Sequence, residues 1–295
     1  MRFVRPPADI SAQYRVIRVG QKRLSLLILR KRGEPAGEPQ APGVLWIHGG
    51  GYLMGMAEMA YKSRAIDLVR EGAVVVTPEY TLSWRAPYPQ ALRECHAALR
   101  WLKEHARELS VRTDQIMVGG ESAGGGLAAA LCMYEKDHGG VNIAFQMPLY
   151  PMIDCYDTDS SRDNHERVWN TRRNHIAWRV YLRGLPAKGR TPVYASPARR
   201  KDLRGLPPCY TFVGDIDPFY CETLQYVQRL KEAGIDARAD VYEGFYHAYD
   251  RMEPETEGAK KAAAVFLEQF RQACRTLRAP QADLRGDASG EPEDW

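Results

Sequence analysis

The sequence predicts an α/β protein with a mostly parallel central sheet of about eight strands flanked by helices. Two observations carry this fold class. Short apolar runs rich in β-branched residues alternate with stretches whose apolar residues recur at helical spacing, and such alternation builds a parallel sheet covered on both faces. Turns after some of these runs are dense in glycine, and in open sheets of this kind ligands bind at the carboxyl ends of the strands.

Taken in order, Tyr14–Val19 and Leu24–Leu29 read as an antiparallel hairpin around Gly20 and Lys22. Residues 33–43, rich in Gly, Pro and Glu, form a loop before the buried strand Val44–Ile47, which stops at His48 and three glycines. Tyr61, Ala65, Leu68 and Val69 mark a helix ended by Gly72, followed by a strand over Ala73–Thr77. Leu92, Cys95, Leu99 and Leu102 mark an amphipathic helix, then a strand over Ile116–Val118 and a small-residue helix from Ala123 to about Lys136. Ile143–Leu149, Tyr210–Val213 and Ala237–Tyr242 are further strands. A helix over Tyr220–Ala233 is capped by Gly234, and a last one carries Ala263, Phe266, Leu267, Phe270 and Ala273 on one face.

The stretch Cys155–Pro197 breaks the alternation. It lies between two strands, is rich in Arg, Asn, Asp and Trp, and is far longer than a usual connection, so it reads as a lid or added subdomain. The tail Ala279–Trp295 is polar with Gly and Pro and is expected to be disordered.

Composition narrows the function. Of 295 residues, 44% are hydrophobic and 26% charged, ordinary for a globular chain with one large core or two modest ones. A net charge of +4 from 41 basic and 37 acidic residues is too small and too scattered for a nucleic-acid partner. No apolar run approaches the roughly 20 residues needed to cross a bilayer, so membrane insertion is not expected. Met1–Ile10 lacks the apolar centre of a signal peptide, which points to the cytoplasm. Six scattered cysteines, Cys95, Cys132, Cys155, Cys209, Cys221 and Cys274, show no zinc-ligand spacing and read as reduced thiols, so neither metal nor cofactor is expected.

The chemistry-bearing residues follow the strands. Gly120-x-Ser122-x-Gly124 stands where a strand ends and a helix begins, the context of a nucleophile elbow. A plain strand-to-helix turn would give the same string. A serine nucleophile needs a base and the base an orienting acid. Of seven histidines, His247 follows the last strand, where it can reach back to the elbow. The acid belongs in the loop Gly214-Asp215-Ile216-Asp217-Pro218; Asp217, held extended by its proline, is favoured, and Asp215 is read as tying down the turn. Two helix-capping aspartates remain an alternative. The run His48-Gly49-Gly50-Gly51 permits backbone amides to approach an oxyanion without side chains in the way.

Together these motifs resemble the hormone-sensitive lipase family of α/β-hydrolases, over about Pro42–Leu277. The HGGG run at His48–Gly51, the G-E-S-A-G-G run at Gly120–Gly125, the Asp217-Pro218 pair and His247 occur in the family's order. The resemblance implies the α/β-hydrolase fold with a small helical cap and a serine carboxylesterase acting, without a cofactor, on small short-acyl esters. It implies Ser122 as nucleophile, His247 as base, Asp217 as acid, and the amides of Gly50, Gly51 and Ala123 as oxyanion hole. An amidase, a lactonase or a noncatalytic small-ligand receptor on the same fold are the alternatives. His247 counts against the receptor, in which the histidine is replaced. The implied cap combines residues 1–13 with 155–197, around a core of 14–154 and 198–278, and Trp169, Trp178 and Tyr181 are candidate substrate-binding residues. A homodimer is left open. Two departures stand out: Tyr80–Pro87 replaces the family's Y-R-L-A-P-E, and His247 is followed by Ala248-Tyr249 instead of Gly-Phe.

Overall fold

The computed structural model describes residues 5–33, 40–185 and 191–281. Eight strands form one sheet: β1 (Ile10–Val19), β2 (Lys22–Lys31), β3 (Ala41–Ile47), β4 (Val74–Pro78), β5 (Val111–Glu121), β6 (Phe145–Leu149), β7 (Cys209–Gly214) and β8 (Ala237–Tyr242). Their spatial order is β1-β2-β4-β3-β5-β6-β7-β8. β2 is antiparallel to both of its neighbours, and from β4 to β8 all pairings are parallel. The central strands are buried on both faces. This is why β3 and β4 carry the continuous apolar runs Val44–Ile47 and Val74–Val76 and not alternating ones.

Among the described residues there are seven α-helices: α1 (Arg64–Arg70), α2 (Gln90–Glu104), α3 (Ala123–His138), α4 (Thr171–Tyr181), α5 (Tyr220–Glu232), α6 (Tyr249–Met252) and α7 (Glu257–Thr276). On one face of the sheet, α2, α3, α4 and α5 pack on Leu26, Leu45, Ile47, Val76 and Val118. On the other, α1 and α7 cover Leu27, Val44, Trp46, Val75 and Phe212, with Trp46 edge-on to Phe266. Gly72 and Gly234 follow helix ends at φ +90° and +80°, the left-handed caps their positions suggest.

Three boundary expectations are corrected. Ile10–Gln13 belong to β1, paired with Ile28–Lys31, because the edge strand needs its whole length to match β2. Asp9, just before β1, lies beside the start of the parallel strands: it pairs with Arg70 at 2.8 Å, at the end of α1 that leads into β4. That is the sheet edge opposite His48 and Ser122, so Asp9 and the start of β1 are no part of a cap over them; residues 1–4 lie outside the described residues. The tail is also held longer than expected. Ala279 donates to the Asp114 carbonyl at 2.8 Å and Gln281 to the carbonyls of Thr113 and Asn142, while residues 282–295 lie outside the described residues. Between β6 and β7 the described chain forms α4, one 3-10 turn and irregular loops, with residues 186–190 of this stretch outside the description.

Candidate active site

The carboxyl ends of β3, β5, β7 and β8 share one edge of the sheet, and each carries one of the motifs. At the end of β5 the chain turns into α3 within one residue. Ser122 sits at φ 59°, ψ −121°, a strained conformation for a residue with a side chain. Its amide donates to Leu149 O at 3.0 Å, and its carbonyl accepts from Gly126 and Met152 at 2.9 and 3.0 Å. The flanking glycines answer to close approach. A Cβ on Gly124 would lie 2.0 Å from the Ile47 carbonyl, and one on Gly120 would lie 2.6 Å from both Ile47 O and the Gly124 backbone. The elbow is therefore pressed against the end of β3.

His247 and Asp217 reach the same point from β8 and β7. The Ser122 hydroxyl and His247 Nε2 are 2.9 Å apart, and His247 Nδ1 is 2.8 Å from Asp217 Oδ2. All three side chains are buried. Asp217 Oδ1 accepts the Phe219 amide at 2.8 Å, which fixes the carboxylate at the start of α5. Asp215 is exposed and accepts the Gly244 amide at 2.7 Å, so it joins the β7 and β8 loops without touching His247. The imidazole is enclosed by the edges of Phe219 and Tyr150, at 5.0 and 5.2 Å between ring centroids, and by Trp169 at 6.2 Å.

The glycine run after β3 lies on the elbow. A Cβ on Gly49 would come within 3.2 Å of Ser122 Cβ, and Gly50 and Gly51 have φ of +114° and +61°. The amides of Gly50 and Gly51 have no protein acceptor among the described residues, and Ala123, as the first residue of α3, has no intrahelical partner for its amide. Three free donors thus surround Ser122. His48 anchors the run. It stacks on Tyr80 at 4.1 Å, donates from Nδ1 to Gly49 O at 2.8 Å, and accepts at its carbonyl from the Tyr80 hydroxyl at 3.0 Å. Burial pushes its pKa down to about 4, so it is neutral at pH 7. Tyr80, part of the segment that departs from the family pattern, therefore braces this loop.

The three aromatic candidates separate. Trp169 stands at the site: its ring fills the space over Gly51, where a Cβ would be 2.2 Å away. Trp178 and Tyr181 do not touch Ser122 or His247 in any contact among the described residues. Both are buried and pack on Tyr52, Tyr181 stacked at 3.9 Å and Trp178 tilted at 5.7 Å, and the Tyr181 carbonyl accepts the Tyr88 amide. They join α4 to the core, because an apolar helix face must be covered. Trp178 also borders a cavity of about 440 Å³ with Cys155, His175, Arg179 and Leu182.

Sequence reasoning missed a buried charge cluster beside the site. Arg251, four residues after His247, donates from Nη1 to both carboxylate oxygens of Glu121 at 2.9 and 2.7 Å. Glu121 also accepts the Arg64 amide at 3.1 Å, and Arg64 Nε lies 3.3 Å from Asp250 Oδ2. Burial raises the Asp250 carboxyl to about 6 against the pull of Arg64. The signal was present, a charge on either side of the two motifs, but nothing in the sequence pairs residues 130 positions apart.

A sheet of this topology with a hydrogen-bonded Ser–His–Asp chain at its carboxyl edge defines a serine hydrolase. The α/β hydrolase fold family model matches residues 44–251, and the chain belongs to that family, as the motif resemblance to its hormone-sensitive lipase members implied. Esterase LipI of Mycobacterium tuberculosis is 31% identical over 214 residues, covering 72% of this chain and 67% of LipI. Carboxylesterase NlhH of the same organism is 29% identical over 258 residues, 84% of this chain and 80% of NlhH. Among solved structures, a bacterial heroin esterase superposes with a TM-score of 0.85 at 29% identity, covering 91% of this chain and 86% of that one.

Proposed function

We propose that this protein is a serine carboxylesterase that hydrolyses small, short-acyl esters through an acyl-enzyme intermediate. The observation that carries the reading is the continuous hydrogen-bonded chain Ser122–His247–Asp217 beneath three unpaired amides. Esterase activity is what the named relatives share.

In this reading, Ser122 Oγ attacks the ester carbonyl as His247 Nε2 takes its proton, and the Asp217 carboxylate steadies the imidazolium. The new oxyanion accepts hydrogen bonds from Gly50, Gly51 and Ala123, whose amides are fixed beforehand and need no reorganisation. The carbonyl re-forms, the ester C–O bond breaks, and His247 gives its proton to the departing alcohol. Water then attacks the Ser122 ester by the same route and releases the carboxylic acid. Every step uses groups of the chain and water alone.

Residues 155–197, with α4, act as the cap, and Trp169 is its contact with substrate. Six free cysteines accord with a reducing compartment, and we place the protein in the cytoplasm; no helix among the described residues is long and apolar enough to cross a membrane. β1 and β8 are the edge strands of the sheet, and a homodimer would pair through one of them.

The test is a series of aryl esters of increasing acyl length with wild type and Ser122→Ala, together with labelling by a serine-directed organophosphonate. Label at Ser122, hydrolysis that falls with acyl length, and loss of activity in Ser122→Ala are expected. Label at another serine, with activity surviving Ser122→Ala, refutes the assignment.

A further inference from the structure

Trp169 lies over the site, yet its own segment has no regular structure to hold it: α4 starts only at Thr171. Two residues before it, Arg167 reaches across to the histidine loop. Its guanidinium lies over the Tyr246 ring, 4.4 Å from the centroid, and Nη2 donates to the Tyr246 hydroxyl and to Glu253 Oε1, the latter at 2.7 Å. The Tyr246 hydroxyl donates to the same carboxylate oxygen at 3.0 Å. Tyr246 directly precedes His247, and Glu253 ends α6. From the other side, Arg173 of α4 donates from Nη1 to the carbonyl of Arg167 and, at 2.7 Å, to that of Val168. The three residues 167–169 are thus suspended between the histidine loop and α4.

We propose that Arg167 is a positioning residue for substrate selection: by gripping Tyr246 and Glu253 it holds the Trp169 indole over Gly51 and beside His247, so that longer esters are excluded until the grip is released. The inference rests on Ser122 being the nucleophile. It differs from simple packing because the grip is electrostatic and wet. The Arg167 and Glu253 side chains are 64% and 42% exposed, and such a contact shifts a population only about two- to tenfold and weakens with salt. The indole itself is 8% exposed and has one long polar contact, from Nε1 to Asn174 Oδ1 at 3.4 Å, so the apolar ring supplies the barrier and Arg167 sets its occupancy.

The experiment compares kcat/KM for p-nitrophenyl hexanoate and acetate, and for benzyl and ethyl acetate, in wild type, Arg167→Ala, Arg167→Lys, Trp169→Ala and the Arg167→Ala/Trp169→Ala double variant. Arg167→Ala should raise the long-to-short ratio about two- to tenfold in at least one series, mainly by lowering KM for the longer ester. Arg167→Lys, which keeps the charge, should restore part of the wild-type ratio. In the double variant the ratio should equal that of Trp169→Ala, because Arg167 acts through the indole. Raising salt to about 1 M should move the wild-type ratio in the direction of Arg167→Ala and leave Arg167→Ala unmoved.

Unchanged ratios in both series, or an Arg167 effect as large without Trp169 as with it, overturn the proposal. If wild type hydrolyses none of the esters, the esterase reading fails instead, and amide hydrogen exchange then decides the grip. Exchange over residues 165–170 should accelerate in Arg167→Ala while β5 is unaffected, and equal exchange in both proteins overturns it.

Discussion

Ser122 Oγ and His247 Nε2 are 2.9 Å apart, but the two residues are held there by different means. Ser122 is fixed by backbone. Its amide and carbonyl are both bonded, the strand before it is central and buried, and the glycines around it are packed to backbone contact. His247 follows the edge strand β8, and side chains hold its loop: Arg251 on Glu121, Asp250 beside Arg64, and Tyr246 against Arg167. Even the conformation after it is strained, with Ala248 at φ 58°. A site built this way has one arm governed by steric fit and another governed by charge. The first should fail on adding atoms; the second should respond to pH, salt and charge.

The sharpest way to break the comparison is in the charged arm. Asp217→Asn keeps the shape of the carboxylate while removing the charge that steadies His247, and kcat should fall by about 10⁴ with little loss of stability. Asp215→Asn keeps an oxygen that can accept from the Gly244 amide and removes only an exposed charge, so it should cost at most about 1 kcal/mol with kcat nearly kept. Measuring kcat and Tm for both decides it, since a large kcat loss in the Asp215 variant and a near-normal Asp217 variant would reverse the roles.

On the steric arm, a Cβ on Gly50 would lie 2.0 Å from Met54 O, so Gly50→Val must displace the loop and its amide. Loss of one oxyanion donor costs on the order of 10² to 10³ in kcat, and no pH or salt condition should restore it. Full kcat in a folded Gly50→Val protein would remove that loop from the oxyanion hole.

A smaller effect separates the arms by pH. Asp250 has its carboxyl raised by burial to about 6 in the folded protein, from an ordinary value of 3.8. The folded state therefore binds this proton more tightly than the unfolded one. Its contribution favours folding below about pH 4 and is lost as pH rises through 6, on the order of 1 to 3 kcal/mol. Melting curves of wild type and Asp250→Asn from pH 4 to 8 should diverge across that window, and parallel curves would show that Asp250 does not titrate there.

The smallest expected effect is at Ala248. Glycine tolerates the left-handed conformation, so Ala248→Gly should relieve strain and leave stability within about 1 kcal/mol of wild type or slightly above it. A loss of several degrees in Tm would mean that the methyl group packs productively and that the strain reading is wrong.

The sequence by itself determined the eight strands, the parallel class and the chain positions of Ser122, Asp217, His247 and the glycine run. Each of these is written in a few adjacent residues: an apolar run that must be buried, a turn that only small residues can make, or a proline that fixes the residue before it. What only the tertiary structure decided lies in contacts between distant segments. The first strand begins at Ile10 because it must match β2 across the sheet, and Asp9 just before it pairs with Arg70 on the side away from the site. Trp169, Trp178 and Tyr181 look alike as aromatics in one insertion, yet Trp169 covers Gly51 while the other two pack on Tyr52. The Glu121–Arg251 and Arg167–Tyr246 contacts join segments 130 and 79 positions apart. Periodicity and turn chemistry act over one or two turns of chain, and a charge carries no mark of its partner; only packing chooses which distant side chains meet.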